Sequence, residues 1–359
     1  MKRLAYVITQ SEMGGAQKSI LLLCEYLKNQ YEITVYSAPG GAFIDELKNL
    51  GIKHISVESM VREINPKEDL RAYKFLFKEF KNNNYDIVHC HSSKAGILAR
   101  EAAHKAKIKN IIYTAHGFVF NEPMSTLKKS IYKFLEKYEA KKTNHLICVD
   151  SNDVTIAKNM GMRPKDDLVY IPNGIDFNGS DSNKIKNDIF TFGLVANFYE
   201  TKGHRYLIEA FNEFIQEGYN GRLLLIGDGI LRADMEELSK DNNNIKFMGY
   251  RSNGMELMKG FDCFILSSIK EGFPFVILEA IKNKVPIIAT KVGAVPNILE
   301  NGKLGILIDK GDVKALKKAM ITAVKDVEAL NHKAELAYIS CKEKYSIDTM
   351  IKETKNLYS

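Results

Sequence analysis

A chain of 359 residues outgrows a single hydrophobic core, which stops enlarging at roughly 250 to 300 residues, so two domains are expected. Apolar residues at 45% and charged residues at 26% exclude a largely disordered chain. Apolar runs such as Ile20 to Cys24 are far shorter than the roughly 20 residues of a membrane helix, and the N-terminus lacks the pattern of a signal peptide, so a cytoplasmic protein is expected.

Short apolar, β-rich runs alternate with helical patterns along the chain, the mark of parallel sheets covered by helices on both faces. Leu4 to Thr9, Ile33 to Ser37, Asp86 to His91, Asn110 to Thr114 and His145 to Val149 read as buried strands of a first domain. Helices are expected near Gln17 to Asn29, Pro66 to Lys81 and Lys94 to Lys107. The junction falls near Tyr170 to Asn187, where Pro172, Asn173 and Gly174 mark a turn and Asn178 to Asn187 reads as a polar loop. A second series of strands follows: Phe190 to Ala196, Arg222 to Ile226, Ile245 to Met248, Cys263 to Ser267, Pro286 to Thr290 and Gly305 to Ile308. From Asp312 onward the pattern is helical. The expected domains are residues 1–170 and 171–344, with a terminal helix in 345–359 that could cross back to the first domain. Two doubly wound sheets in succession leave a crevice beyond the carboxyl ends of their strands, and functional residues should follow strands.

The net charge of +7 lies wholly in the first half: Met1 to Tyr170 holds 26 Lys and Arg against 19 Asp and Glu, while the signs balance at 25 each from Ile171 to Ser359. Within it, Ser125 to Asn144 reads as an amphipathic helix with Leu127, Ile131, Leu135 and Tyr138 on one face and Lys128, Lys129, Lys133, Lys137, Lys141 and Lys142 around the rest. Such a helix can lie on an anionic membrane surface, or can pack on its own domain with a solvated polar face. The five cysteines are odd in number and scattered, which implies neither a disulfide framework nor a zinc site.

Several motifs sit where the strands end. Gly14 and Gly15 follow the opening strand and allow close approach of backbone amides to a ligand at a helix start, but they do not form the G-x-G-x-x-G fingerprint of a dehydrogenase. His116 with Gly117 follows one strand, and His89 and His91 end another; a neutral imidazole there can hydrogen-bond a hydroxyl, and a cationic one can oppose phosphate. No carboxylate is spaced to complete a metal site with this trio. In the second half Asn197, Lys202 and Gly203 follow a strand, and a lysine beside a helix start suits a diphosphate. Gly227, Asp228 and Gly229 form a flexible turn after the next strand.

The most specific stretch is Ser267 to Glu279, SSIKEGFPFVILE. Glu271 sits in the turn after a strand and Pro274 is expected in the first helical turn, leaving free amides that can meet phosphate. Glu271 can then grip sugar hydroxyls and Glu279 the vicinal hydroxyls of a ribose. A plainer reading makes Glu271 a cap and Glu279 an exposed helix residue, and leaves Gly272, Phe273 and Pro274 unexplained.

At these residues the chain resembles the retaining family-four glycosyltransferases of the GT-B fold, two Rossmann-like α/β domains facing across a cleft. The resemblance rests on Gly14-Gly15, His116-Gly117, Asn173-Gly174-Ile175-Asp176, Lys202-Gly203, Gly227-Asp228-Gly229 and the E-x7-E pair Glu271 and Glu279. It implies that Glu271 contacts the donor sugar, Glu279 the ribose and Lys202 the diphosphate. His116, Glu271 and Lys202 are then the expected catalytic residues. Gly14, Gly15, Asn197, Lys202, Gly227, Gly272, Phe273, Pro274, Phe275 and Glu279 are the expected donor-binding set.

His91 to Gly96 and Tyr113 to Phe118 are similar to the subgroup that builds capsular and other surface polysaccharides, which implies a lipid-linked or surface-polysaccharide acceptor; a polyprenyl-linked saccharide is the leading expectation and would place the protein peripherally on the inner face of the cell membrane. A UDP-sugar is the expected donor substrate, with no metal or other cofactor, since no Asp-x-Asp clamp is present. Two departures stand out: Ala196 and Asn197 occupy the region where many members carry an arginine, and Asn297 follows Pro296 where many carry glutamate. A non-hydrolysing sugar-nucleotide epimerase and a non-catalytic sugar-nucleotide-binding scaffold are the alternatives. Nucleic acid is not an expected partner.

Overall fold

The computed structural model describes residues 1–359 apart from 123, 180–186 and 252, so most of the expected loop from Asn178 to Asn187 lies outside the described residues. The chain forms two units: Met1–Asn173 together with Met350–Ser359, and Gly174–Thr349.

The first unit is built on seven strands, β1 (Lys2–Val7), β2 (Tyr31–Ser37), β3 (Lys53–Ser56), β4 (Ile87–His91), β5 (Asn110–Ala115), β6 (His145–Cys148) and β7 (Asp167–Tyr170). They lie in the order β3-β2-β1-β4-β5-β6-β7, with every pairing parallel. The central strands are apolar on both faces because helices cover both, as parallel sheets require. Strands β3 and β7 lie at the two edges with partly exposed residues throughout, and neither was expected from the sequence.

The second unit repeats the plan with β8 (Thr191–Val195), β9 (Arg222–Ile226), β10 (Ile245–Gly249), β11 (Cys263–Leu266), β12 (Ile287–Thr290) and β13 (Ile306–Ile308), in the parallel order β10-β9-β8-β11-β12-β13. In each sheet the first strand pairs on one side with the second and on the other with the fourth. The order therefore reverses between β1 and β4, and again between β8 and β11. At such a reversal the two chains leave the sheet toward opposite faces, and the gap left between their loops is where doubly wound sheets bind ligands. The three helices Val313–Lys325, Val327–Lys344 and Ile347–Asn356 close the chain. The last residues pack into the first unit, where Tyr358 is fully buried and its hydroxyl lies 2.9 Å from that of Tyr6. All five cysteines are buried free thiols.

The helix Thr126–Ala140 is mounted with the opposite polarity to the usual amphipathic helix. Its buried residues are Glu136, Glu139 and Ala140, while Leu127, Ile131, Phe134 and Tyr138 are exposed. The cause is a buried charge cluster. Arg100, fully buried in the helix Ser93–Lys105, holds Glu136 at 2.6 Å, donates to the Gly96 carbonyl at 2.8 Å and lies over the Tyr113 ring. The Tyr113 hydroxyl donates to the other Glu136 oxygen at 3.2 Å. Alongside, Lys142 pairs with Glu139 and Glu101. Burial lifts Glu139 to about 7 and pulls Lys142 down to about 8. Lys142 thus belongs to the inner side and not, as expected, to the outer basic face.

Removing one partner of a buried ion pair strands the other charge, at a cost of about 3 to 5 kcal/mol. Glu136→Ala is accordingly expected to lower the unfolding free energy of the first unit by that order, whereas Arg100→Met with Glu136→Leu recovers most of the loss, as read by urea unfolding.

Candidate active site

The reversal between β8 and β11 brings the expected residues of the second unit together. The chain leaving β8 passes through a single 3-10 turn, Glu200–Lys202, into the helix His204–Gln216; the chain leaving β11 turns through Ser267 to Pro274 into the helix Phe275–Lys282. Three hydrogen bonds sew the two loops together: Ser267 Oγ donates to the Lys202 carbonyl at 3.0 Å, and the Ile269 and Lys270 amides donate to the Thr201 carbonyl at 2.9 and 3.4 Å. With the loops fixed, Lys202 Nζ meets Glu271 Oε1 at 2.8 Å. The same oxygen accepts from the hydroxyl of fully buried Ser268 at 2.6 Å. The Glu271 side chain is 8% exposed and that of Lys202 28%, so the carboxylate is held from within while the ammonium keeps access to solvent.

Neighbouring loops complete the frame. Gly203 bridges the 3-10 turn and the next helix in the left-handed region, φ 66°, and a Cβ there would overlap the Ser267 carbonyl oxygen, so only glycine lets the two loops close. Gly293, after β12, has φ 50° and lies against the carbonyls of Glu271 and Gly272, and the Ala294 amide donates to the Gly272 carbonyl at 2.8 Å. Thr290 Oγ1 donates to the Ser268 carbonyl at 2.6 Å. On the other side, Gly227 abuts the Ala196 carbonyl, and the Phe198 amide donates to the Asp228 carbonyl at 2.9 Å, which places Asn197 and the turn after β9 beside the same loops.

Pro274 is the residue before the helix, with φ −76° and ψ 115°, and not part of its first turn as expected; no side chain caps the helix. Glu279 is buried, which removes the plainer reading of it as an exposed helix residue. Phe273 and Phe275 are also buried, with Phe273 edge-on to Tyr345, so the main chain is the part of these residues that a ligand can meet.

In the first unit, Gly14 and Gly15 are exposed at the start of the helix Gly15–Leu27, again without a side-chain cap. His89 and His91, both fully buried on β4, and half-buried His116, just after β5, form a stack in which ring centroids are 4.3 Å and 5.2 Å apart. His91 Nδ1 lies 2.9 Å from His116 Nε2. Burial pulls His116 down to about 4 and His89 to about 3, and holds His91 well below its ordinary value. Burial thus favours the neutral form of His116, and of the two roles open to it hydrogen bonding is the one a neutral ring serves. Among the described residues no group of three or more His, Cys, Asp or Glu side chains is placed to hold a metal ion.

The sequence pointed to Lys202 and Glu271 but missed what positions them. Ser268 lies three residues before Glu271 in the same stretch, but its hydrogen bond to that carboxylate is a contact of the folded turn. Thr290, from a different strand, carried no signal.

Residues 13–178 match the family described as Glycosyltransferase Family 4, and residues 189–326 match Glycosyl transferases group 1. Over 99% of its length the chain is 30% identical to an Escherichia coli protein, UDP-Gal:alpha-D-GlcNAc-diphosphoundecaprenol alpha-1,3-galactosyltransferase, and the match covers 96% of that relative. The chain belongs to the family-four glycosyltransferases. This glycosyltransferase is also 25% identical to the capsular polysaccharide biosynthesis glycosyltransferase CapM of Staphylococcus aureus, over 95% of this chain and 94% of that one. Among solved structures, Anabaena HepE in complex with UDP-glucose superposes with a TM-score of 0.85 at 19% identity, covering 99% of both chains, which shows the shared GT-B fold. Of the readings left open by the sequence, the transferase is the one that family membership selects over an epimerase or a scaffold.

Proposed function

We propose that this glycosyltransferase moves a hexose or N-acetylhexosamine from a UDP-sugar to a saccharide carried on a polyprenyl diphosphate, with retention of anomeric configuration. The observation that carries the reading is the Lys202, Glu271 and Ser268 cluster at the β8/β11 reversal. A diphosphate arriving beside Lys202 competes with Glu271 for the ammonium. The freed carboxylate, still held by Ser268, then accepts from donor-sugar hydroxyls, and Glu279 is assigned to the ribose. Asn197, Gly227 and the main chain from Gly272 to Phe275 are assigned to the donor as well, and Gly14, Gly15 and His116 are the residues of the first unit assigned parts in the same reaction. The Escherichia coli relative is named for a UDP-galactose donor and a diphosphoundecaprenol-linked acceptor, which supports both halves of the proposal.

In the proposed step the bond from the sugar's anomeric carbon to the departing diphosphate breaks, and a bond to an acceptor oxygen forms on the same face. The acceptor proton passes to an oxygen of the leaving UDP. No metal is assigned a part: Lys202 and the positive end of the helix Phe275–Lys282 offset the charge that develops on the diphosphate. Fixed donors of this kind cost no reorganisation as the charge appears.

A lipid-linked acceptor calls for contact with the inner leaflet, and the helix Thr126–Ala140 is assigned that contact. Its exposed Leu127, Ile131, Phe134 and Tyr138 alternate with exposed Lys128, Lys133 and Lys137, with Lys141 just beyond. An anionic bilayer surface matches both properties at once, with apolar tips in the interface and ammonium groups among the headgroups. No helix among the described residues is long and apolar enough to cross a membrane, so the proposed attachment is peripheral.

Lys202→Ala and Glu271→Ala are each expected to reduce turnover of a UDP-hexose by at least about 100-fold, the scale of losing one transition-state electrostatic contact, while the protein remains folded. Steady-state rates beside thermal unfolding check this, and near wild-type rates in both variants would remove the site assignment. Sedimentation with vesicles should show binding to anionic and not to neutral lipid, falling about fivefold for each of Lys128→Gln and Lys133→Gln. Equal binding to both lipids, or none to either, would remove the membrane contact.

A further inference from the structure

The stacked histidines of the first unit carry more information than their neutrality. His91 Nε2 is buried and has no hydrogen-bond partner among the described residues, whereas His91 Nδ1 faces His116 Nε2 at 2.9 Å. A neutral imidazole has one N–H donor and one bare acceptor nitrogen, and a hydrogen bond between two such rings needs one of each. Two arrangements satisfy the contact. If His116 Nε2 carried the proton and donated, His91 would have to accept on Nδ1 and carry its own proton on Nε2, leaving a buried N–H with nothing to receive it. If His91 donates from Nδ1, its Nε2 is bare, and an unpaired buried acceptor is the better tolerated defect. No third ring can relieve the conflict: His89, packed against His91, has both nitrogens engaged, Nδ1 with the Tyr358 hydroxyl at 2.7 Å and Nε2 with Thr114 Oγ1 at 2.7 Å.

We propose that His91 is a positioning residue that fixes His116 as the neutral tautomer protonated on Nδ1, with His116 Nε2 accepting from His91. His116 consequently offers an N–H donor from the nitrogen turned away from His91 and has no free acceptor nitrogen. It is suited to donating a hydrogen bond to a hydroxyl or phosphate oxygen and unsuited to removing a proton. Its part in the transferase reaction rests on the function proposed above, but its protonation pattern does not. Tyr358, two residues into the chain's last turn, and Tyr6 support the stack from behind through His89.

Nitrogen-15 NMR of histidine-labelled whole enzyme tests this. In the wild type, the His116 resonances should show a protonated Nδ1 and a bare Nε2 across neutral pH. In His91→Leu the preference should be lost, giving a mixed or reversed pattern, with kcat down roughly tenfold, the lower end of what outer partners of a functional histidine contribute elsewhere. In His91→Asn, whose amide can donate from nearly the same place, both the pattern and the rate should return, and this variant decides the matter if His91→Leu folds poorly. A wild-type His116 protonated on Nε2, or a pattern unchanged in His91→Leu, overturns the proposal. A tautomer that shifts while turnover stays constant would instead uphold the role of His91 and remove His116 from the proposed reaction.

Discussion

The site depends on one salt bridge between two loops that no short segment of the chain could bring together. Lys202 and Glu271 are 69 positions apart and meet at 2.8 Å because β8 and β11 are neighbours in the sheet while their following helices depart to opposite faces. Everything nearby serves that meeting. Main-chain bonds from Ile269 and Lys270 to Thr201 lock the loops, Gly203 removes the Cβ that would hold them apart, and Ser268 turns the carboxylate toward the lysine. The carboxylate is nearly buried and the ammonium partly exposed, so two opposite charges stand side by side where the loops meet, an arrangement that the proposed function uses to receive a ligand with both phosphate and hydroxyls.

The first unit solves a different electrostatic problem. It buries two imidazoles, His89 and His91, in which burial favours the neutral form, and it buries Arg100 with Glu136 so that carboxylates, not apolar side chains, dock the helix Thr126–Ala140. The consequence is an apolar, lysine-rich face left outward. An ordinary amphipathic helix would have spent Leu127, Ile131 and Phe134 on its own core. The buried charges therefore connect the packing of the domain to the surface that the proposed membrane contact uses.

Much of this was legible in the sequence where burial imposes a simple pattern. Strands covered on both faces, such as Arg222–Ile226 and Cys263–Leu266, carry short continuous apolar runs and were located to within a residue or two. The edge strands Lys53–Ser56 and Asp167–Tyr170 were not, since half-exposed edges mix polar and apolar residues and lose that signature. The turn that holds Glu271 was legible because Glu271, Gly272 and Pro274 lie within four positions of one another in the chain. Ser268 was present in the same stretch, but its role depends on a hydroxyl direction that only the folded turn defines. The sequence left the orientation of Thr126–Ala140 open because periodicity shows that a helix has two faces and not which one is inside; Arg100, in a different helix, decides that. Tyr358 gave no local sign at all, being joined to His89 only through the packing of the last residues onto the first unit.

If Lys202 is the group that reads the second phosphate, its effect must appear in the difference between two nucleotides and not in either alone. Calorimetric titration of UDP and UMP into the wild type and Lys202→Met measures that difference directly. The account predicts that UDP binds the wild type at least about tenfold more tightly than UMP, an advantage of about 1.4 kcal/mol, and that the advantage disappears in Lys202→Met while UMP affinity stays nearly constant. Equal weakening of both nucleotides, or an undiminished preference for UDP in the variant, would contradict it.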